Sequence, residues 1–249
     1  MYPLKRKTFL EAQMSKKVKL SLIISIITVA ALVGSVFIYV ACGYKADDDA
    51  IALYDEKNVE FCDGYVVVSP KIISSGVGLI FYPGANVEYT AYLPLMDQLS
   101  DIGITCYLMK MPLNMAILDV NRADVVLENH GDEHSLWLVG GHSMGGAMAS
   151  QYAAENQDKI DGLVLLGAYP YKEYPLDKTV TIYGSLNTSV EEKLDYTKNV
   201  HVIEGGNHAY FGNYGEQAGD SVGEITREEQ QKETVEIIAA FVLELMFKA

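Results

Sequence analysis

The stretch Leu138-Val139-Gly140-Gly141-His142-Ser143-Met144-Gly145-Gly146 decides how the rest of this 249-residue chain is read. It sets G-x-S-x-G, as Gly141, Ser143 and Gly145, between the apolar run Leu136–Gly140 and the helix-like segment Gly146–Glu155. A tight turn from strand to helix would lift the middle serine over the edge of a sheet. Glycines two residues to either side remove the Cβ atoms that would hold strand and helix apart. The turn also puts Ser143 at a helix N-terminus, where negative charge is favoured. A Gly-rich turn can instead cradle phosphate, but no Lys follows these glycines and G-x-G-x-x-G is missing from the segment. Ser143 is therefore the candidate nucleophile.

Short apolar runs lie on either side of this turn, at Tyr65–Ser69, Gly78–Tyr82, Ile104–Met109, Gly162–Leu166, Val180–Tyr183 and Val200–Ile203. They read as buried strands. Between them, Val87–Leu99 and Asn114–Asn129 have apolar residues at helical spacing, and Arg227–Phe247 closes the chain as a long amphipathic helix. Strands separated by helices predict an α/β fold with a mostly parallel sheet and helices on both faces. Functional groups then belong at the carboxyl ends of the strands.

A serine hydroxyl needs a base. Of five histidines, His142 adjoins Ser143 and reads as a packing residue, while His130 and His134 precede the elbow strand at the opposite end of the sheet. His201 lies within a strand. His208 follows the last strand in the loop Gly205-Gly206-Asn207-His208, at the carboxyl end, and its place after the serine suits this architecture. For a developing oxyanion, the expected donors are the backbone N–H of Met144 and that of Ala85, in the Pro83-Gly84-Ala85-Asn86 turn. No cysteine–histidine cluster suggests a metal, and neither a metal nor an organic cofactor is required. Cys62 and Cys106 read as small buried hydrophobes. Tyr169, Tyr171, Tyr174, Tyr210 and Tyr214 gather at predicted loop ends, where they could line a substrate site or only pack its rim.

Charge divides the chain. Residues 1–45 hold seven Lys/Arg and one acid, and residues 46–249 hold twelve against thirty-two. The overall net charge of −14 argues against nucleic acid as a partner. Leu20–Ala41 is almost wholly apolar, and its twenty-two residues would reach about 33 Å as a helix. Lysines and an arginine precede it and Asp47–Asp49 follow it, so the positive-inside rule keeps the head in the cytoplasm and sends the body across. The organisation expected is a basic cytoplasmic head over 1–19, a transmembrane signal anchor over 20–42, a linker over 43–60 and the α/β domain over 61–249. Cleavage at Ala41-Cys42-Gly43, or lipidation of Cys42, are the alternatives, and Met14 is an alternative start.

From about Gly64 onward the sequence resembles the alpha/beta-hydrolase superfamily, and is most similar to a small lid-less bacterial branch of the fold-5 type. The resemblance rests on Tyr82–Ala85 (YPGA), Gly141–Gly146 (GHSMGG) and Gly205–Gln217 (GGNHAYFGNYGEQ). It implies a serine hydrolase with a Ser–acid–His triad, acting on a small-molecule acyl ester or related carbonyl substrate through an acyl-enzyme. The family acid follows the strand Val180–Tyr183, where this chain has Gly184-Ser185-Leu186-Asn187. Asn187 can orient an imidazole but cannot offset its charge. Glu191, Glu192, Asp195 and Glu173 are the carboxylates able to replace it. Two rival readings remain open at this point: a catalytically impaired binding or scaffold protein on the same fold, and lactone opening of the dienelactone-hydrolase type. The sequence leaves the oligomeric state undetermined.

Overall fold

A computed structural model describes residues 16–248. The chain falls into two compact units, with the break between Cys42 and Gly43. The first unit contains the helix α1 (Lys16–Ala41). The part of α1 apolar enough to cross a membrane is Val18–Ala41, 24 residues with Lys19 as its one charged member. Such a helix could be a membrane anchor or a signal sequence. Its side chains, among them Ile23, Ile27, Leu32 and Phe37, are exposed along its length. Most of the basic head lies outside the described residues.

The second unit, from Gly43 onward, is built on one eight-stranded sheet. Its strands are β1 (Val59–Cys62), β2 (Tyr65–Val68), β3 (Val77–Tyr82), β4 (Ile104–Met109), β5 (Leu136–His142), β6 (Gly162–Leu166), β7 (Thr179–Gly184) and β8 (Val200–Ile203). They lie in the order β1-β2-β4-β3-β5-β6-β7-β8. The pairs β1–β2 and β2–β4 are antiparallel, and all pairs from β4 to β8 are parallel. Every residue of β2 to β7 is buried, because helices cover both faces and leave no solvent side to alternate with. Alternate side chains therefore feed two cores. Leu79, Phe81, Cys106, Leu108 and Leu138 join one core, together with α3 (Leu93–Asp101) and α7 (Arg227–Lys248). Ile80, Tyr82, Tyr107, Val139 and Leu165 join the other, with α5 (Met144–Glu155). Cys62 and Cys106 are free thiols, and only Cys106 is buried.

The chain leaves β3 toward β4 on one side, and β5 lies on the other side of β3. The loops after β3 and β5, which carry Ala85 and Ser143, are thus neighbours at the point where the strand order reverses, where open α/β sheets bind their ligands.

Three expected segments differ. Helix Val87–Leu99 begins late: Val87 forms a bridge to Tyr44, Tyr89–Tyr92 is a 3₁₀ turn, and α3 starts at Leu93 with Pro94 in its first turn. In Asn114–Asn129 only Asp124–His130 (α4) is α-helical. Leu113 and Asn114 sit at φ 51° and 54°, and 3₁₀ turns over Ala116–Leu118 and Val120–Ala123 follow. The apolar spacing there is met by turns rather than by a continuous helix.

The stretch expected as a linker, 43–60, is folded into the domain. It carries α2 (Asp48–Ala52) and the start of β1. Tyr44 N–H donates to the Asn86 carbonyl at 2.8 Å, and Asp47 N–H donates to the Asn213 carbonyl at 2.9 Å. The Asp47 carboxylate accepts from Ala50 N–H at 3.1 Å as the α2 cap and pairs with Arg227 at 3.1 Å. Its polar composition suggests solvent exposure, but these polar groups are spent on caps and ties. Asp47→Ala should lower unfolding stability by about 1–2 kcal/mol, the usual cost of a lost cap with a partner attached. Urea denaturation would read this, and an unchanged midpoint would make the segment a passive connector.

Candidate active site

Ser143 has φ 55° and ψ −125°, a backbone state that L-residues adopt only under constraint. The constraint is visible on both sides. Ser143 N–H donates to the Leu166 carbonyl at 3.0 Å, and its own carbonyl accepts Ala147 N–H at 3.1 Å. A Cβ on Gly145 would collide with the carbonyl oxygens of Tyr82 and Pro83, and one on Gly141 would meet Gly145 and Gly146 backbone. The elbow therefore depends on these two glycines, which let α5 start against the end of β3.

His208 lies after β8, and its Nδ1 is 2.7 Å from Asn187 Nδ2. Asn187 is buried, at 6% exposure, and its Oδ1 accepts the Ser189 hydroxyl at 2.8 Å. An amide N–H only donates, so in this arrangement His208 Nδ1 is the acceptor and the ring proton sits on Nε2. Rotating the amide by half a turn presents Oδ1 to an Nδ1–H. The Ser189 hydroxyl, which can donate or accept, then takes the Nδ2–H. Burial lowers the His208 pKa below its ordinary value, and the Asp220 carboxylate opposes that shift.

Ser143, Met144, Asn187, Ser189 and His208 line one cleft of about 500 Å³. Among the described residues Ser143 and His208 face it without a direct hydrogen bond, a looseness common before substrate tightens a site. Ala85 sits next to Gly84 in the turn after β3, half-buried and outside the cleft lining. The alternative carboxylates are elsewhere. Glu173 and Asp195 line a separate cavity of about 290 Å³, and Glu191 and Glu192 are exposed around the end of the short helix α6 (Thr188–Glu191). Of the tyrosines, Tyr169 lines the cleft, whereas Tyr174 is buried and donates its hydroxyl to the Ile160 carbonyl. Among the described residues no group of three His, Cys, Asp or Glu could hold a metal.

A model of the alpha/beta hydrolase family matches residues 78–232. The chain belongs to the alpha/beta hydrolase family. It is 24% identical over 147 residues to a putative non-heme haloperoxidase from Mycobacterium phage D29. That match covers 55% of this chain and 52% of the phage protein, so the chain spans about half the length of the curated relative it matches. Among solved structures it is similar to Est1E from Butyrivibrio proteoclasticus, with 16% identity, a TM-score of 0.51, and 76% of this chain and 98% of that one covered. A soluble variant of monoglyceride lipase from Saccharomyces cerevisiae gives 11% identity, a TM-score of 0.50 and coverage of 76% and 95%. At these identities the likeness is one of fold.

The sequence does not disclose what holds the turn after β3 and the His208 loop together. Gly84 N–H donates to the Tyr92 hydroxyl at 3.1 Å, and that hydroxyl lies 2.8 Å from His142 Nδ1. His142 Nε2 lies 2.9 Å from the His208 carbonyl, which can only accept. The protons are thereby assigned: Nε2 carries one, Nδ1 is bare, and the Tyr92 hydroxyl donates to it. His142 is held neutral, its pKa pushed well down by burial first and by the neighbouring His208 second. Its place beside Ser143 marks it as packing, and nothing in the sequence pairs it with Tyr92.

The His208 loop is clamped from α7. Gln230 accepts Asn207 N–H and donates to the Asn207 carbonyl, both at 3.0 Å. Asp220 accepts the N–H groups of His208, Ala209 and Ser221 at 3.2, 2.8 and 2.9 Å. Tyr92→Phe would leave Gly84 N–H and His142 Nδ1 unpaired in a dry site. It should cost about 1–3 kcal/mol of stability and slow labelling of Ser143 by a fluorophosphonate. Thermal unfolding with labelling rates would check this, and a variant equal to wild type in both would remove the relay from the design.

Proposed function

We propose that this hydrolase is a membrane-anchored, extracytoplasmic serine hydrolase that cleaves an acyl ester or related carbonyl substrate through an acyl-enzyme. The observation that carries the reading is the strained Ser143 facing the same cleft as a histidine oriented by Asn187. In this reading Ser143 Oγ attacks the acyl carbonyl and His208 Nε2 takes its proton. Backbone N–H groups of Ala85 and Met144 hold the oxyanion, and the leaving alcohol collects the proton from His208. Water then attacks the acyl-enzyme, with His208 again as base. For Nε2 to accept, Nδ1 must carry hydrogen, so catalysis uses the amide orientation with Asn187 Oδ1 toward the ring. Neither metal nor organic cofactor enters these steps. Anchoring rests on Val18–Ala41 and on the positive-inside asymmetry of its flanks.

One observation favours a second reading, a binding protein of low catalytic power. The group on His208 Nδ1 is a neutral amide, and Glu173, Glu191, Glu192 and Asp195 do not line the cleft.

Ser143→Ala should abolish fluorophosphonate labelling and hydrolysis of short acyl esters without shifting thermal unfolding. Retained turnover would remove Ser143 from the mechanism. Wild type that neither labels nor turns over would favour the binding reading.

The pH profile tests the third member. A base must be neutral, and burial holds the His208 pKa below its ordinary value, so the acid limb of kcat/KM should fall below about pH 6.5. Asn187→Asp adds a negative charge beside the imidazolium and raises that pKa. The limb should move up in pH, and turnover should rise by up to about one or two powers of ten. An unmoved limb would mean that residue 187 does not face the catalytic ring.

For the anchor, protease added to intact protoplasts should digest the domain and spare a small membrane fragment. A domain protected in intact cells would overturn the topology.

A further inference from the structure

The cleft carries one cation that the proposed mechanism does not use. Lys193, just after α6, lines it together with Tyr169, which follows β6. Lys193 Nζ donates to the Tyr169 hydroxyl at 2.9 Å and lies 4.7 Å from the centre of that ring. The phenol oxygen thus accepts from the ammonium, and its own O–H remains to be donated. Two ammonium N–H groups also remain. Among the described residues Lys193 has no ion pair with an acid. The acid that does line the cleft, Asp220, has its oxygens engaged by three backbone N–H groups.

The setting makes this notable, since residues 46–249 hold twelve Lys/Arg against thirty-two acids. A domain so acidic repels anions in general, yet places a cation beside a phenol at the wall of its cleft, with Ala147, Ala168 and Val190 supplying apolar surface nearby. We propose that Lys193 and Tyr169 form a two-donor receptor for an anionic oxygen group, so that the preferred substrates are acyl esters carrying a carboxylate or phosphate apart from the scissile carbonyl. This rests on the hydrolase reading above and names the substrate class of the same site. Ammonium and phenol donors together suit either oxyanion, and an ammonium acts on both as a point charge.

The test uses the full-length protein and two esters matched in length, p-nitrophenyl pentanoate and p-nitrophenyl hydrogen glutarate. Wild type should prefer the anionic ester, and the preference should shrink as salt rises. Lys193→Gln should lower kcat/KM for the anionic ester by about tenfold, mainly through KM, and leave the neutral ester within about twofold. Tyr169→Phe should give a smaller loss of the same kind. Competition by glutarate and by inorganic phosphate would tell which oxyanion is favoured. A preference for the neutral ester, or an anionic preference that survives Lys193→Gln, would overturn the proposal. A second measurement does not depend on turnover: calorimetry of glutarate and of inorganic phosphate binding to the Ser143→Ala protein. Binding lost on adding Lys193→Gln supports the receptor, and binding unaffected by it overturns the receptor. Failure of both esters to react, with such binding intact, would instead count against the hydrolytic reading.

Discussion

A buried relay with no spare proton joins the turn after β3 to the His208 loop: Gly84 N–H to Tyr92, Tyr92 to His142, and His142 to the His208 carbonyl. Each group in it has one role that satisfies its neighbour, and His142 must be neutral for the sequence of donors to close. Protonating His142 would turn Nδ1 into a donor facing a hydroxyl that then has to reverse. Burial disfavours that charge in any case. The relay therefore fixes the turn that contains Ala85 relative to the backbone of His208, across strands that are not neighbours in the sheet. The space is equally restricted, because a Cβ on Gly84 would lie 2.8 Å from both His142 Nδ1 and the Tyr92 hydroxyl. Glycine at 84 is a requirement of the relay.

Backbone strain at Ser143 is tolerated through the same packing. A residue at φ 55° persists only where its surroundings over-determine it. Here the Leu166 carbonyl, the first turn of α5 and the end of β3 all bear on it. Such strain points the side chain out of the sheet and into the cleft without support from a loop of its own. The clamp on the His208 loop works the same way, with Gln230 reaching from the long closing helix to both backbone groups of Asn207.

Local signals make most of this fold readable. Buried strands announce themselves as apolar runs, and the six strands expected outside the elbow strand match β2, β3, β4, β6, β7 and β8 closely. The edge strand β1 does not, because Val59–Cys62 is mostly solvent-facing and includes Glu60. The 3₁₀ turns after β4 imitate helical spacing, and the positive φ of Leu113 leaves no signature in a residue of that type. At the site, Ser143, His208 and Asn187 stand where loop order puts them, since parallel topology alone brings the strand ends together. Tyr92, Gln230 and Asp220 are not legible as its supports. Their contacts to Gly84, His142 and the His208 loop span 8 to 50 positions, and hydrogen-bond direction has no counterpart in composition or period.

The group that faces His208 Nδ1 is an amide and not a carboxylate, and this sets the electrostatics around the ring. A carboxylate would stabilise the imidazolium directly, while Asn187 orients the ring and contributes only a dipole. Burial alone would then make the protonated ring costly. Asp220 moderates this: its field raises the His208 pKa against the burial that lowers it. Its oxygens are tied to the N–H groups of His208 and Ala209, so the charge is held near the ring without touching Nδ1. The carboxylate that organises the loop thus also supplies negative field at His208, where Asn187 brings no charge. A charge that does not touch the ring acts on it more weakly than one in contact, so burial remains the larger influence on the His208 pKa.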